Sequence, residues 1–334
     1  MGQALIQHDL RLHSWPDFAV LAALFAKSDL CFTDLETAIR SSKAEAPTRQ
    51  DVFLHAADPA VLDCLKAWHI GLLATANNHA FDLGTGGILG ALEELDKRGL
   101  VHGGTGANLA GAAGPAYCRS AKGTVALIAA ASGAIREGGG ATSSRAGVNE
   151  LRLDGQSMNA EDVARMLAAI REAAAAADVV LAYHHNHVLT DKGQRVPPWQ
   201  QDFAHQCIDA GATLFVSHGA PWLLGIELYR SRPIFYDLGS LVFQTATEGG
   251  TYDANAWQSV LAECRFAQGA LVEMEVTPVR LNDQGIAGDL ATRGRPSLAR
   301  GGEADAILAH LAAMSAPFGT IIERASDKAI IRPT

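Results

Sequence analysis

Apolar positions along the chain fall into alternating helical and strand-like runs. Residues 16–27, PDFAVLAALFAK, repeat at helical spacing, with Pro16 near the first turn. Residues 30–32 make a short apolar strand that ends at Thr33, Asp34, Leu35 and Glu36, and residues 41–50 are polar and turn-like. Asp58-Pro59 opens a helix through Val61, Leu62, Leu65 and Trp68. Residues 70–76 read as a strand followed at once by Asn77, Asn78 and His79; residues 85–97 read as a helix and 102–106, HGGTG, as a turn. A nearly all-apolar strand at 123–131 leads into an irregular Gly-, Ser- and Asn-rich stretch at 132–158, of the length of a binding loop. Then come a helix at 160–176, a strand at 178–182, a helix at 199–209 and a strand at 212–216. Strand-like runs at 226–229, 233–236, 259–265 and 269–280 follow, then a polar segment at 281–301 and a last helix at 304–314.

Continuous apolar strands such as 70–76 and 212–216 belong to sheets buried on both faces. With helices between them they predict a layered α/β fold in which two sheets pack against each other. No repeat or domain boundary shows, so residues 1–334 are expected to form one domain, with 281–334 a C-terminal extension packed on its core.

Composition narrows the function. A 48% hydrophobic fraction over 334 residues supports a large core, and a net charge of −9 argues against a nucleic-acid partner. No apolar run reaches the roughly 20 residues of a membrane span. The start, MGQALIQHDLRLHSWPDF, has no basic segment ahead of its apolar run and so does not read as a signal peptide. As it stands the chain reads as cytoplasmic, although Ala4, Leu5 and Ile6 look like the tail of a strand that begins earlier. The five cysteines, Cys31, Cys64, Cys118, Cys207 and Cys264, have no metal-binding spacing and read as reduced.

Chemistry concentrates where strands end. Four of them run into Thr33-Asp34-Leu35-Glu36, Asn77-Asn78-His79 with Asp82 close behind, Tyr183-His184-His185-Asn186-His187, and Ser217-His218. The carboxyl ends of parallel strands face one crevice, so Glu36, Asn78, His79, His184 and His218 can meet there. Mixed oxygen and nitrogen donors of this kind suit Mn²⁺, Zn²⁺ or Fe²⁺. Each residue also has a plainer role: a cap for His79, a turn for Asn78, an ion pair with Arg40 for Glu36, a helix start for Asp82. Among the three close histidines, His184 comes first after the strand and is the expected ligand. No phosphate loop, nucleophile elbow or cysteine-histidine pair is present.

The stretches SDLCFTDLETAI, LLATANNHAFDLGTGGI, HGGTGANLAGA, VVLAYHHNHV, DAGATLFVSHGAP and GIELYRSRPIFYDLGSLVFQ, over about residues 1–250, resemble the CapA family of poly-γ-glutamate capsule synthesis, related to calcineurin-like metallophosphatases. The resemblance implies a four-layer α/β/β/α sandwich with one or two divalent ions, Mn or Zn, at the strand ends. It implies metal ligands at Glu36, Asn78, His184 and His218 and a catalytic-type His79. Two family ligands are replaced: Gln3 stands where the first strand usually carries Asp, and Pro221 where a last His is usual. Asp9, His8 or Asp34 can substitute.

The expected chemistry is metal-assisted hydrolysis of an amide, γ-glutamyl-like or ester bond in a small molecule or polyglutamate-like substrate. His79, Asp82 and His185 would act in catalysis, and Tyr183, His187 and Arg145 of loop 132–150 would shape the pocket. The alternatives are a non-catalytic, polyanion-binding component of polymer synthesis or export, and a phosphodiesterase or phosphatase.

Overall fold

A computed structural model describes residues 1–12, 15, 17–155, 157–189, 191 and 194–333. Pro16 lies outside the described residues, and the first helix runs over Asp17–Phe25. The class is α/β with several sheets.

The first sheet is five-stranded and parallel, in the order Ser240–Phe243, Gln3–Leu5, Cys31–Leu35, Ile70–Ala74 and Val101–Gly103. The second has six strands in the order Ile226–Tyr229, Arg232–Phe235, Leu214–His218, Val179–Asn186, Gly123–Ser132 and Ala116–Ser120. Its four inner strands are parallel and its two edges antiparallel. A third, antiparallel sheet grows on the long hairpin Gln258–Ala267 and Ala270–Leu281. The strands Pro296–Leu298, Glu323–Ala325 and Lys328–Ile331 from beyond residue 281 complete it.

Helix faces decide how the layers stack. The helices Asp17–Phe25, Ala60–Ala67 and Gly84–Arg98 bury Leu21, Val61, Leu65 and Leu95 against Leu5, Leu35, Ile70 and Leu73 of the first sheet. The helices Ala160–Ala174 and Pro198–Asp209 bury Met166, Ile170, Phe203 and Cys207 against Ile128, Val180, Ala182 and Phe215 of the second. Asn159 starts the helix at Ala160 because its side-chain oxygen accepts from the Glu161 and Asp162 amides. A further core joins the two sheets through Phe32, Leu72, Leu127, Leu181 and Val216, and it takes in Val260, Met274 and Ile331 of the third sheet.

Two strands outrun their expected ends. The strand that delivers the histidines continues through Asn186, so all of Tyr183, His184 and His185 lie within the ladder. The strand after the first helix likewise includes Asp34. Apolar patterning marks only the apolar stretch of a strand, whereas these polar residues, buried as well, extend the ladder past it.

Candidate metal centre

Parallel strands of both large sheets bring their carboxyl ends to one mouth. Asp34, wholly buried, pairs in register with Gln3 of the neighbouring strand. Glu36 follows one residue past the strand and is held there by its amide, which donates to Ala4 O. The turn beyond Ile70–Ala74 is fixed by Asn77, not Asn78. Its Nδ2 donates to Asp34 Oδ1 (3.1 Å) and Leu35 O (2.8 Å), and its Oδ1 accepts from the His79 amide. Asn78 is thereby free to reach across, and its Oδ1 lies 2.9 Å from His185 Nε2. His79 Nδ1 sits 2.8 Å from Asp82 Oδ2, so the carboxylate orients the ring.

Strand pleat corrects the choice among the histidines. Alternate residues face opposite sides of a sheet. His185 and Tyr183 therefore point between the sheets, and His184 points outward. His184 packs edge-on against Phe203 and Trp199, with Nε2 2.9 Å from Ser132 Oγ. It is His185 that joins the cluster: its Nδ1 is 3.5 Å from Asp34 Oδ2 and its Nε2 is 3.9 Å from Glu36 Oε1. His218, beside His185 in the ladder, lies 3.4 Å from the Tyr183 hydroxyl. Tyr183 itself is wholly buried and has no surface to offer a substrate.

Other expected residues lie elsewhere. Asp9 pairs with Arg11 and accepts from Cys64 Sγ (2.9 Å), away from the strand ends. Arg145 is exposed and folds back on Gly140 O; no contact joins it to the cluster among the described residues. His187 is half-buried beside His185, with ring centroids 5.5 Å apart.

Two residues join the cluster without a signal in the sequence. His55 stacks on His79 with centroids 3.6 Å apart, and Arg49 donates through Nε to Asp82 Oδ1 (2.7 Å). Arg49 lies in the polar 41–50 stretch and His55 a few residues beyond it, after the short run Val52-Phe53-Leu54, and no strand end or metal-ligand spacing marks either one. Arg49 also donates through Nη2 to Asn78 O (2.5 Å).

Burial sets the electrostatics. It pushes the Asp34 carboxyl up to about 8, against the hydrogen bond from Asn77. Glu36 is held well above the carboxylate range by burial and by the charges of Asp34 and Asp82. Burial lowers His185 and His187 to about 3 and holds His55, His79 and His218 well below the usual range, so these imidazoles are neutral. Neutral imidazoles facing crowded carboxylates form a donor set for a cation. Glu36, His185 and His187 each bring one ligand atom within 4.8 Å of the others, and so do Glu36, His55 and His79. Asp34 Oδ2, Glu36 Oε2, His55 Nδ1 and His218 Nε2 are buried without a hydrogen-bond partner among the described residues.

Residues 1–245 match the family model described as bacterial capsule synthesis protein PGA_cap. An uncharacterized protein of Sinorhizobium fredii is 26% identical over an alignment of 426 residues covering 99% of this chain and 92% of that one. A probable polyglutamine synthesis accessory protein of Mycobacterium tuberculosis is 29% identical over 274 residues, 80% of this chain and 70% of that one. The PGA biosynthesis protein CapA of Bacillus subtilis is 26% identical over 268 residues, 80% of this chain and 65% of that one.

Proposed function

The chain belongs to the bacterial capsule synthesis family PGA_cap, and from that premise we propose that it is a metal-binding accessory protein in the synthesis or export of an anionic, polyglutamate-like polymer. The observation that carries this reading is a buried Asp/Glu/His/Asn cluster with unpartnered oxygens, which fits an ion and excludes a polymer. Asp34, Glu36, Asn78, His185 and His218 are all 4% exposed or less.

The donor set fits one divalent ion. Glu36, His185 and His187 each offer a ligand atom within 4.8 Å of the others, and Asn78 Oδ1 lies beside them, 2.9 Å from His185 Nε2. Asp34, Glu36 and Asp82 carry three negative charges when ionised, and Arg49 returns one positive charge. Glu36, Asn78, His185 and His187 would hold the ion, with Asp34 behind His185. When bound, such an ion supplies Lewis-acid polarisation and a more acidic bound water. Gln3 and Pro221 replace two ligands expected from the family resemblance, which favours a reduced centre over a full two-metal one. The printed names of the Mycobacterium and Bacillus relatives point the same way. Outer helices, two large sheets and a shared inner core are also consistent with a four-layer sandwich formed by residues 1–334 as one domain.

The His79–Asp82 pair favours a second reading, a metal-dependent hydrolase acting on an amide, γ-glutamyl-like or ester bond. Asp82 fixes the His79 ring through Nδ1 and leaves Nε2 to give or take a proton. The two ligand triads sharing Glu36 would suit a phosphodiesterase only if both filled together.

Elemental analysis of protein purified without added metal tests the proposal, paired with turnover assays on γ-glutamyl amides, esters and phosphoesters. The expected result is about one equivalent of Mn or Zn, lost in His185→Ala, with no turnover. Protein that holds no stoichiometric metal after loading refutes the metal-binding reading. Metal-dependent turnover abolished by His79→Ala replaces the accessory reading with the hydrolytic one.

A further inference from the structure

Two arginines tie two loops together over the cluster, each donating to the other's segment. Arg49 donates through Nη2 to Ala134 O (2.8 Å). Arg136 donates through Nε (3.1 Å) and Nη2 (2.8 Å) to Thr48 O. The Thr48 end of this clasp lies on the metal-side turn: its amide donates to Asp82 O (2.9 Å) and its hydroxyl to Phe81 O (3.0 Å). The Ala134 end presses on the histidine strand, because a Cβ added at Gly133 would come within 2.8 Å of the His187 carbonyl carbon. The clasp therefore spans the mouth from Asp82 to His187.

Its bonds are of an exchangeable kind. Arg136 is exposed and meets only neutral carbonyl oxygen in these contacts. A carboxylate adds an opposite charge and a second acceptor oxygen, so it can take a guanidinium in a bidentate geometry that a lone carbonyl oxygen does not offer. The backbone is strained at the same point: Ala134 has φ +53°, a left-handed conformation that costs a residue with a Cβ about 1 kcal/mol or more. Opening would release that strain. Arg49, by contrast, is anchored to Asp82 and stays with the cluster.

We propose that this arginine clasp is the docking point for carboxylate groups of an anionic polymer, and that its release exposes the buried cluster. Arg136 exchanges Thr48 O for a polymer carboxylate, segment 133–136 swings from segment 48–49, and His55, His79 and His187 become accessible. The inference rests on the reading of the chain as a partner of an anionic polymer and adds where the polymer binds and what it gates.

Carbethoxylation of individual histidines by diethyl pyrocarbonate, followed peptide by peptide in the full chain, tests it. Poly-γ-glutamate is the probe, and uncharged polyglutamine and inorganic phosphate are the controls. In the wild type, modification of His55, His79 and His187 is slow alone and rises about tenfold with poly-γ-glutamate only, as expected when two charge-assisted bonds are lost from a closed state. Arg136→Ala is fast without polymer and gains nothing from it, and Arg136→Lys is intermediate because an ammonium cannot keep both contacts. His184, buried on the other face, stays protected throughout and excludes general unfolding. Slow modification in Arg136→Ala overturns the clasp and leaves the accessory reading standing. A fast Arg136→Ala beside a wild type that ignores poly-γ-glutamate overturns the docking role, while the accessory reading stands or falls on metal content and turnover. A wild type that opens equally with phosphate overturns the polymer as the specific ligand.

Discussion

Asp34→Asn isolates one buried carboxyl in a nearly isosteric change. In the metal-free folded chain Asp34 titrates at about 8; unfolded, it titrates near ~3.9. Between these values the folded state holds a proton that the unfolded state has lost. Stability therefore falls as pH rises, by about 1.4 kcal/mol per pH unit for one such group. From pH 5 to pH 8 the accumulated cost is on the order of 4 kcal/mol, and it levels off above pH 8. Asparagine carries no such term, and removing the charge also relieves Glu36, which Asp34 helps to hold high. Urea unfolding in chelator across pH 5–9 should show the variant near wild-type stability at pH 5 and increasingly more stable above it. With metal present the order reverses: an ion neutralises Asp34, and losing the carboxylate behind His185 weakens metal binding about 10- to 100-fold. A wild-type-minus-variant difference that stays flat with pH in chelator refutes the argument from burial.

Two further substitutions separate neighbours. His185→Ala should remove the bound metal, whereas His184→Ala should keep metal stoichiometry and lose about 2–3 kcal/mol of stability, since it empties a site packed against Phe203 and Trp199; metal content and urea midpoints distinguish the two. Asp9→Asn should leave metal content unchanged. The Arg11 guanidinium lowers Asp9 to about 2, so the wild type's advantage over that variant should be full above pH 4 and shrink as pH falls toward 2, measured by acid unfolding.

Local sequence carried the site as far as local physics reaches. Strand-end polar residues pointed to Glu36, Asn78, His79 and Asp82 as neighbours, and these do meet at one mouth, because a parallel sheet sends its carboxyl ends to one side whatever the connections between them. The sequence also contained the information on His184 and His185, but only through a strand end. A ladder that stops at Ala182 leaves all three histidines in a loop, and the first is as good as any. A ladder that continues to Asn186 sorts them by pleat, sending His185 to Asp34 and His184 to the helices. One strand end moved by four residues thus changes which histidine faces the cluster. Apolar runs cannot locate that end, because the residues that extend the strand are the polar ones.

His55, Arg49 and Arg136 were illegible for a different reason. Each acts across the fold rather than along the chain: Arg136 reaches Thr48 over 88 positions and Arg49 reaches Ala134 over 85. Nothing near them in sequence marks the contact. Arg49's place follows from burial, since an Asp82 carboxylate with no exposed surface needs a counter-charge from any loop that passes close enough. The same requirement explains why Arg145 plays no part: it is exposed, and its side chain donates to Gly140 O, with no buried acid against it among the described residues. The loop cation at this mouth is therefore selected by the buried acid it must neutralise. Replacing Asp82 with Asn should leave Arg49 only its bond to Asn78 O in the cluster and loosen the clasp, even though neither loop is altered, which faster carbethoxylation of His55 would show.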